Sequence, residues 1–163
     1  MQYDPQINTI LYATDLGSRT RPVFRYALDM AKYYSAQILM LHVVEPMSTT
    51  ARAMIDTYLS EGLSDELEKK GKKELLATMK LRLEKFYANE CDSELKSSVS
   101  VKEIMVVSGK PSEEILRVAE KENVDMIVMG KSSRKLRGMG VMGSSARGVN
   151  RYCTVPVLVI PTN

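Results

Sequence analysis

The sequence predicts an α/β fold: an open, five-stranded, mostly parallel sheet with helices on both faces. Three observations lead there. Short apolar, β-branched runs alternate with longer segments whose apolar residues recur every three or four positions. The short runs are nearly continuously apolar, the pattern of strands buried on both faces of a parallel sheet. At 163 residues, 44% hydrophobic and 26% charged, the chain fits one domain with one core, residues 1–163. The alternation β-α-β-α-β-α-β-α-β requires right-handed crossovers between parallel strands.

Thr9 to Asp15 is a β-branched, apolar run ending in polar turn residues, a buried strand entering a loop. Thr20 is placed to cap the next segment and Pro22 suits its first turn. Val23, Tyr26, Ala27, Met30, Ala31 and Tyr34 then mark one helical face. Gln37 to Val44 is the second strand, ended by Glu45-Pro46. Thr50 to Leu59 has the makings of a short helix, with Gly62 as its breaker. A long helix runs from Ser64, a candidate cap, to Asn89. Its apolar stripe is Leu67, Leu75, Met79, Leu83 and Phe86; Gly71, on that stripe, is expected to mark a kink or a close contact.

Ser98 to Val107 reads as the third strand. Pro111 then starts a helix with Glu113 and Glu114 in its first turn and Ile115, Leu116, Val118 and Ala119 on its buried face. Asp125 to Gly130 is the fourth strand. After a loop rich in glycine, serine and basic residues, Ser144 to Tyr152 forms a short helix and Val155 to Ile160 the last strand. Pro156 cannot donate a ladder hydrogen bond, so that strand belongs at an edge. An apolar edge strand needs covering, and a second copy of the chain would supply it.

Sheets of this kind bind ligands beyond the carboxyl ends of their strands. The most informative strand end opens the loop Gly130 to Ser145, which combines four glycines with Lys131, Arg134, Lys135 and Arg137. Glycine allows close backbone approach, unpaired amides at a helix start attract anions, and Ser144 and Ser145 add hydroxyl donors. Phosphate groups suit such a loop; a solvated loop without a ligand is the alternative. Asp15 likewise either meets a ligand or caps its own turn. His42, inside an apolar strand, reads as a hydrogen-bonded core residue. Met139 and Met142, between loop glycines, either cover a ligand, touch a partner or are exposed by chance.

Several landmarks, in order, resemble the universal stress protein family: Thr14-Asp15, Leu41-His42-Val43, Gly109-x-Pro111, Asp125-x-Ile127-Val128-Met129-Gly130 and the closing run Val155 to Val159. The resemblance spans nearly the whole chain and implies a Rossmann-like sheet of order 3-2-1-4-5. Nucleotide-binding members carry Gly-x2-Gly-x9-Gly-Ser/Thr after the fourth strand, and the matching positions here are Gly130, Ser133, Gly143 and Ser144. Ser133 departs from that pattern: its side chain crowds a phosphate or donates to it. The resemblance implies ATP, bringing magnesium with it. It places Ala13, Thr14, Asp15, Val43 and Met129 near the nucleoside, and Gly130, Ser132, Ser133, Gly143, Ser144 and Ser145 near ribose and phosphates. A nucleotide-free homodimer acting through protein partners is the second reading.

Other classes are disfavoured. The apolar runs fall short of the roughly 18 residues a membrane helix needs, and the first eight residues lack a secretory signal pattern, so a cytoplasmic protein is expected. Two cysteines, Cys91 and Cys153, and one histidine offer neither a zinc set nor a histidine near the loop, so binding is expected rather than catalysis. A net charge of +3 does not call for a nucleic-acid surface.

Overall fold

A computed structural model of the chain describes residues 5–59, 61–131 and 141–162. Strands β1 (Thr9–Thr14), β2 (Gln37–Val44), β3 (Val101–Ser108), β4 (Met126–Gly130) and β5 (Val157–Ile160) form one sheet in the order β3-β2-β1-β4-β5. All four pairings are parallel, so the expected "mostly parallel" sheet is wholly so. The helices are α1 (Thr20–Tyr34), α2 (Thr49–Tyr58), α3 (Glu61–Glu90), α4 (Ser93–Ser98), α5 (Pro111–Lys121) and α6 (Ser144–Tyr152).

Continuous apolarity in the strands produces two cores with one sheet between them. Ile10, Tyr12, Ile38, Met40 and Val128 point to the face covered by α1 and α3. Their neighbours Leu11, Ala13, Leu39, Leu41, Ile127 and Met129 point to the face covered by α5 and α6. On the first face Phe24 stacks between Tyr12 and Phe86, with ring centroids 5.0 and 5.3 Å away. The Tyr12 hydroxyl donates to the Thr20 carbonyl at 3.3 Å, and burial pushes its pKa well above that of a free phenol. On the second face α6 lies close to α5 because Gly148 has no side chain. A Cβ there would lie 2.7 Å from the Ser112 Cβ.

At the amino edge of the sheet, one Asp125 carboxylate oxygen accepts from the Asn8 and Thr9 amides at 2.8 and 2.9 Å. The Asp125 amide donates to the Thr9 carbonyl at 2.8 Å, so this landmark aspartate aligns β4 with β1 and stands at the end away from the strand carboxyl termini. Both cysteines are free thiols, and burial pushes that of Cys91 up.

Several sequence expectations are corrected. Thr20 does not cap α1; its hydroxyl donates to the Gly17 carbonyl at 2.6 Å. Tyr26 is half exposed, and Phe24 and Leu28 take its place on the buried face. The break after α2 falls at the extended Leu59, and Gly62 lies inside α3, which starts three residues before Ser64. Gly71 makes no close contact: a Cβ there would meet nothing within 4 Å. Residues 93–98, polar and too short to show a period, form α4, so the third strand begins at Val101 rather than Ser98. The last strand begins at Val157, leaving Pro156 just outside, where its carbonyl accepts from Ile127 at 2.9 Å. As expected, β5 is an edge strand.

The α3 stripe is buried only in its second half. Leu83 is fully buried and Phe86 and Tyr87 pack on the core, whereas Leu67 is 51% and Leu75 42% exposed. Length explains this: 30 residues of helix span about 45 Å, while the eight-residue β2 spans about 26 Å. The helix overruns the sheet. Its end is fastened to α1 by the ion pair Arg21 to Glu90 at 2.6 Å, and Arg52 joins α2 to Asp65 and Glu68 near its start. No helix among the described residues is long and apolar enough to cross a membrane.

Phe24→Ala, which empties the stacked site, is expected to lower stability by about 3–5 kcal/mol in urea unfolding. Tyr58→Ala, at a position 86% exposed, should change it by less than about 0.5 kcal/mol. Gly148→Val should cost about 1–3 kcal/mol by forcing α5 and α6 apart, read as a lower unfolding midpoint.

Candidate functional site

The sheet order places the topological switch point between β1 and β4, whose pairing ends at Ala13 opposite Met129. Chain leaving β1 turns toward β2, chain leaving β4 turns the other way, and the carboxyl edge opens between them. A cleft of about 610 Å³ lies there.

The β1–α1 turn forms one wall. The Thr14 hydroxyl accepts from the Leu16 amide at 3.0 Å, and Asp15 Oδ1 accepts from the Gly17 amide at 2.9 Å. Leu16 adopts a left-handed φ of 57° to make this turn. Asp15 therefore caps its turn, yet it is exposed, lines the cleft and keeps Oδ2 for a further donor. His42 Nδ1 donates to the Thr14 carbonyl at 2.8 Å, tying the end of β2 to that of β1, as a hydrogen-bonded core histidine should. β1 pairs with β2 only as far as Thr14 opposite His42, so Val43 and Val44 extend past β1 along the floor.

The opposite wall is the start of α6. Its N-cap is Gly143, which brings no side-chain acceptor, and the first turn holds no acidic residue. The first helical backbone bond runs from the Arg147 amide to the Gly143 carbonyl at 3.0 Å, so the Ser144, Ser145 and Ala146 amides lack a partner within the helix. Lys131 and Arg147 add two cations to the lining. Unpaired donors, the positive end of a helix dipole and two cations make this wall a place for an anion. Gly130 acts through packing: a Cβ there would meet Thr162 Cγ2 at 3.0 Å and Val23 Cγ2 at 3.4 Å. The ends of the loop are pinned, with the Lys131 amide donating to Ile160 and the Gly143 amide to the Lys131 carbonyl, at 2.7 and 2.8 Å.

Of the site residues expected from sequence, Ala13, Thr14, Asp15, Val43, Met129, Gly130, Gly143, Ser144 and Ser145 all line this cleft. Ser132 and Ser133 lie outside the described residues, as do Arg134, Lys135, Arg137 and Met139. Met142 is half-buried, packing on the α5/α6 core while lining the cleft. Sequence reasoning missed Arg147, one helical turn from Ser144 and legible by extending the serine motif by three residues. It also missed Arg19, whose guanidinium donates to the Thr162 carbonyl, and Leu75 and Met79, brought in by the tertiary placement of α3. Among the described residues no group of three His, Cys, Asp or Glu side chains is arranged to hold a metal ion.

Comparison with known proteins agrees with this architecture. A family model described as the Universal stress protein family matches residues 6–161. The chain is 29% identical over 155 residues to universal stress protein MJ0577 of Methanocaldococcus jannaschii, covering 93% of each chain. The solved structure of that protein superposes with a TM-score of 0.62 over 97% of this chain and 98% of the other, at 26% identity. Universal stress protein UspA from Lactobacillus plantarum superposes with a TM-score of 0.67 over 96% and 99% of the two chains, at 21% identity. With its strand order, its switch-point cleft and a family match over nearly all its length, this chain belongs to the universal stress protein family.

Proposed function

We propose that this chain is a regulatory or stress-response protein that binds ATP, or a related adenine nucleotide, in the switch-point cleft and does not depend on catalysis. The observation that carries the reading is the start of α6: three amides without intrahelical acceptors, no acidic residue in the first turn, and Lys131 and Arg147 beside them. That wall suits phosphates, and the exposed Oδ2 of Asp15 suits a donor of the nucleoside. A universal stress protein of this fold has been solved in complex with cAMP. Ala13, Thr14, Val43 and Met129 line the nucleoside end in this reading. Gly130, Gly143, Ser144 and Ser145 line the phosphate end, with Ser132 and Ser133 on the connecting loop. Magnesium enters with the nucleotide, carried on its phosphates. Its positive charge offsets theirs, while the chain's own groups orient the ligand. A cytoplasmic location accords with an ATP ligand.

A second reading, a homodimer acting through protein partners, draws on β5. That strand is an edge, and its Val157, Leu158 and Val159 are only half-buried. This second reading is nucleotide-free, and Ser133→Gly separates it from the first: a variant that gains ATP affinity favours a wild type working without nucleotide.

Calorimetric titration with magnesium and ATP is expected to show saturable binding near one nucleotide per chain; no heat at millimolar ATP would exclude the leading reading. Ser144→Asp places a carboxylate at the start of α6. It should weaken ATP binding at least tenfold while leaving stability unchanged or raised by about 0.3–1 kcal/mol, since the same charge that repels phosphate favours the helix dipole. In light scattering, a dimer is the expected result for the β5 edge, and a monomeric wild type would refute it.

A further inference from the structure

The cleft has two unlike walls. On the side of α5 and α6 it presents amides and cations. On the side of α1 and α3 it presents Leu75 and Met79, four residues apart and therefore on one helical face. Neither side chain belongs to a core cluster: the first buried residue of α3 among those described is Leu83, Leu75 is 42% exposed and Met79 is half-buried. The overrun of α3 past the sheet brings this pair over the carboxyl edge. The floor between the two walls is formed by Val43 and Val44.

We infer that Leu75 and Met79 form the base-facing wall of the site, packing against the heterocycle of the bound nucleotide and setting the preference for a nucleotide over a bare polyphosphate. This rests on the nucleotide reading above and assigns part of that ligand to α3. A ligand spanning the cleft needs an anionic end for α6 and a flat, largely apolar end for α3, the polarity of a nucleotide. A thioether beside an aromatic ring is a favourable contact, and the leucine supplies apolar area that only a bound ring covers. Arg82 Nη1 donates to the Met79 sulfur at 3.7 Å, and Arg82 itself does not line the cleft.

The test compares two ligands, ATP and inorganic tripolyphosphate, each with magnesium, on wild-type protein and on a Leu75→Ala/Met79→Ala double variant. Calorimetry is expected to show ATP binding weakened about tenfold in the variant and tripolyphosphate binding unchanged, with the urea midpoint unaltered because neither side chain is in the core. The chain contains no tryptophan, so Leu75→Trp installs a single reporter whose emission should be quenched by ATP and not by tripolyphosphate. Full ATP affinity in the double variant, equal losses for both ligands, or a reporter indifferent to ATP overturns the inference while leaving phosphate binding at α6 in place. A wild type that binds neither ligand removes the nucleotide reading, and this inference with it.

Discussion

The double burial of β1 is the constraint on which the rest of the structure depends. All six residues of β1 pair with β2, the central four, Ile10 to Ala13, pair with β4 as well, and the side chains of those four alternate between two cores. No polar side chain can replace Ile10, Leu11 or Tyr12 without leaving a group in one core or the other short of partners. That requirement also ends the strand. At Thr14 the side chain turns back to satisfy the local backbone, and the chain departs toward α1 while β2 continues for two more residues. The cleft exists because the central strand is shorter than β2 beside it.

The same economy appears at the other wall. A helix start normally satisfies its leading amides with a capping oxygen, worth about 1 kcal/mol. α6 begins with glycine at that position and keeps the first turn free of carboxylates. Its packing is secured elsewhere, by the buried Ala146 and Val149 and by the close approach of Gly148 to Ser112. The backbone of the first turn is thus left to offer donors, while buried side chains, Ala146 of that same turn among them, hold the helix in place. The left-handed Leu16 has a related role on the opposite side, where strain in one residue lets Asp15 and Gly17 close a turn at the rim.

What the sequence made legible follows from how local each cause is. β1, β2 and β4 were readable because burial on both faces leaves them almost wholly apolar, β3 because its valines and isoleucine outweigh Lys102 and Glu103, and α5 and α6 because Pro111 and the run after Gly143 punctuate the chain. Nine expected site residues stand together because strand ends are local features and the fold brings them to one edge. α4 was not legible, being six residues with no buried side chain and hence no periodic imprint. Nor was the exposure of Leu67 and Leu75, since a stripe records which residues share a face and not how far the sheet beneath them extends. The contribution of Arg19 depends on Thr162, 143 residues away, a contact that no local pattern encodes.

The short closure between the Gly143 amide and the Lys131 carbonyl has an evolutionary consequence. Because the two ends of the intervening segment are already held together, its length is largely uncoupled from the rest of the fold. In polymer terms, doubling such a loop adds only about 0.6 kcal/mol of closure entropy. A change of length between those two residues therefore costs the fold little in closure, although it alters the Gly130-to-Gly143 spacing of the nucleotide-binding pattern. A lineage can revise what this rim of the molecule recognises without renegotiating how the molecule folds.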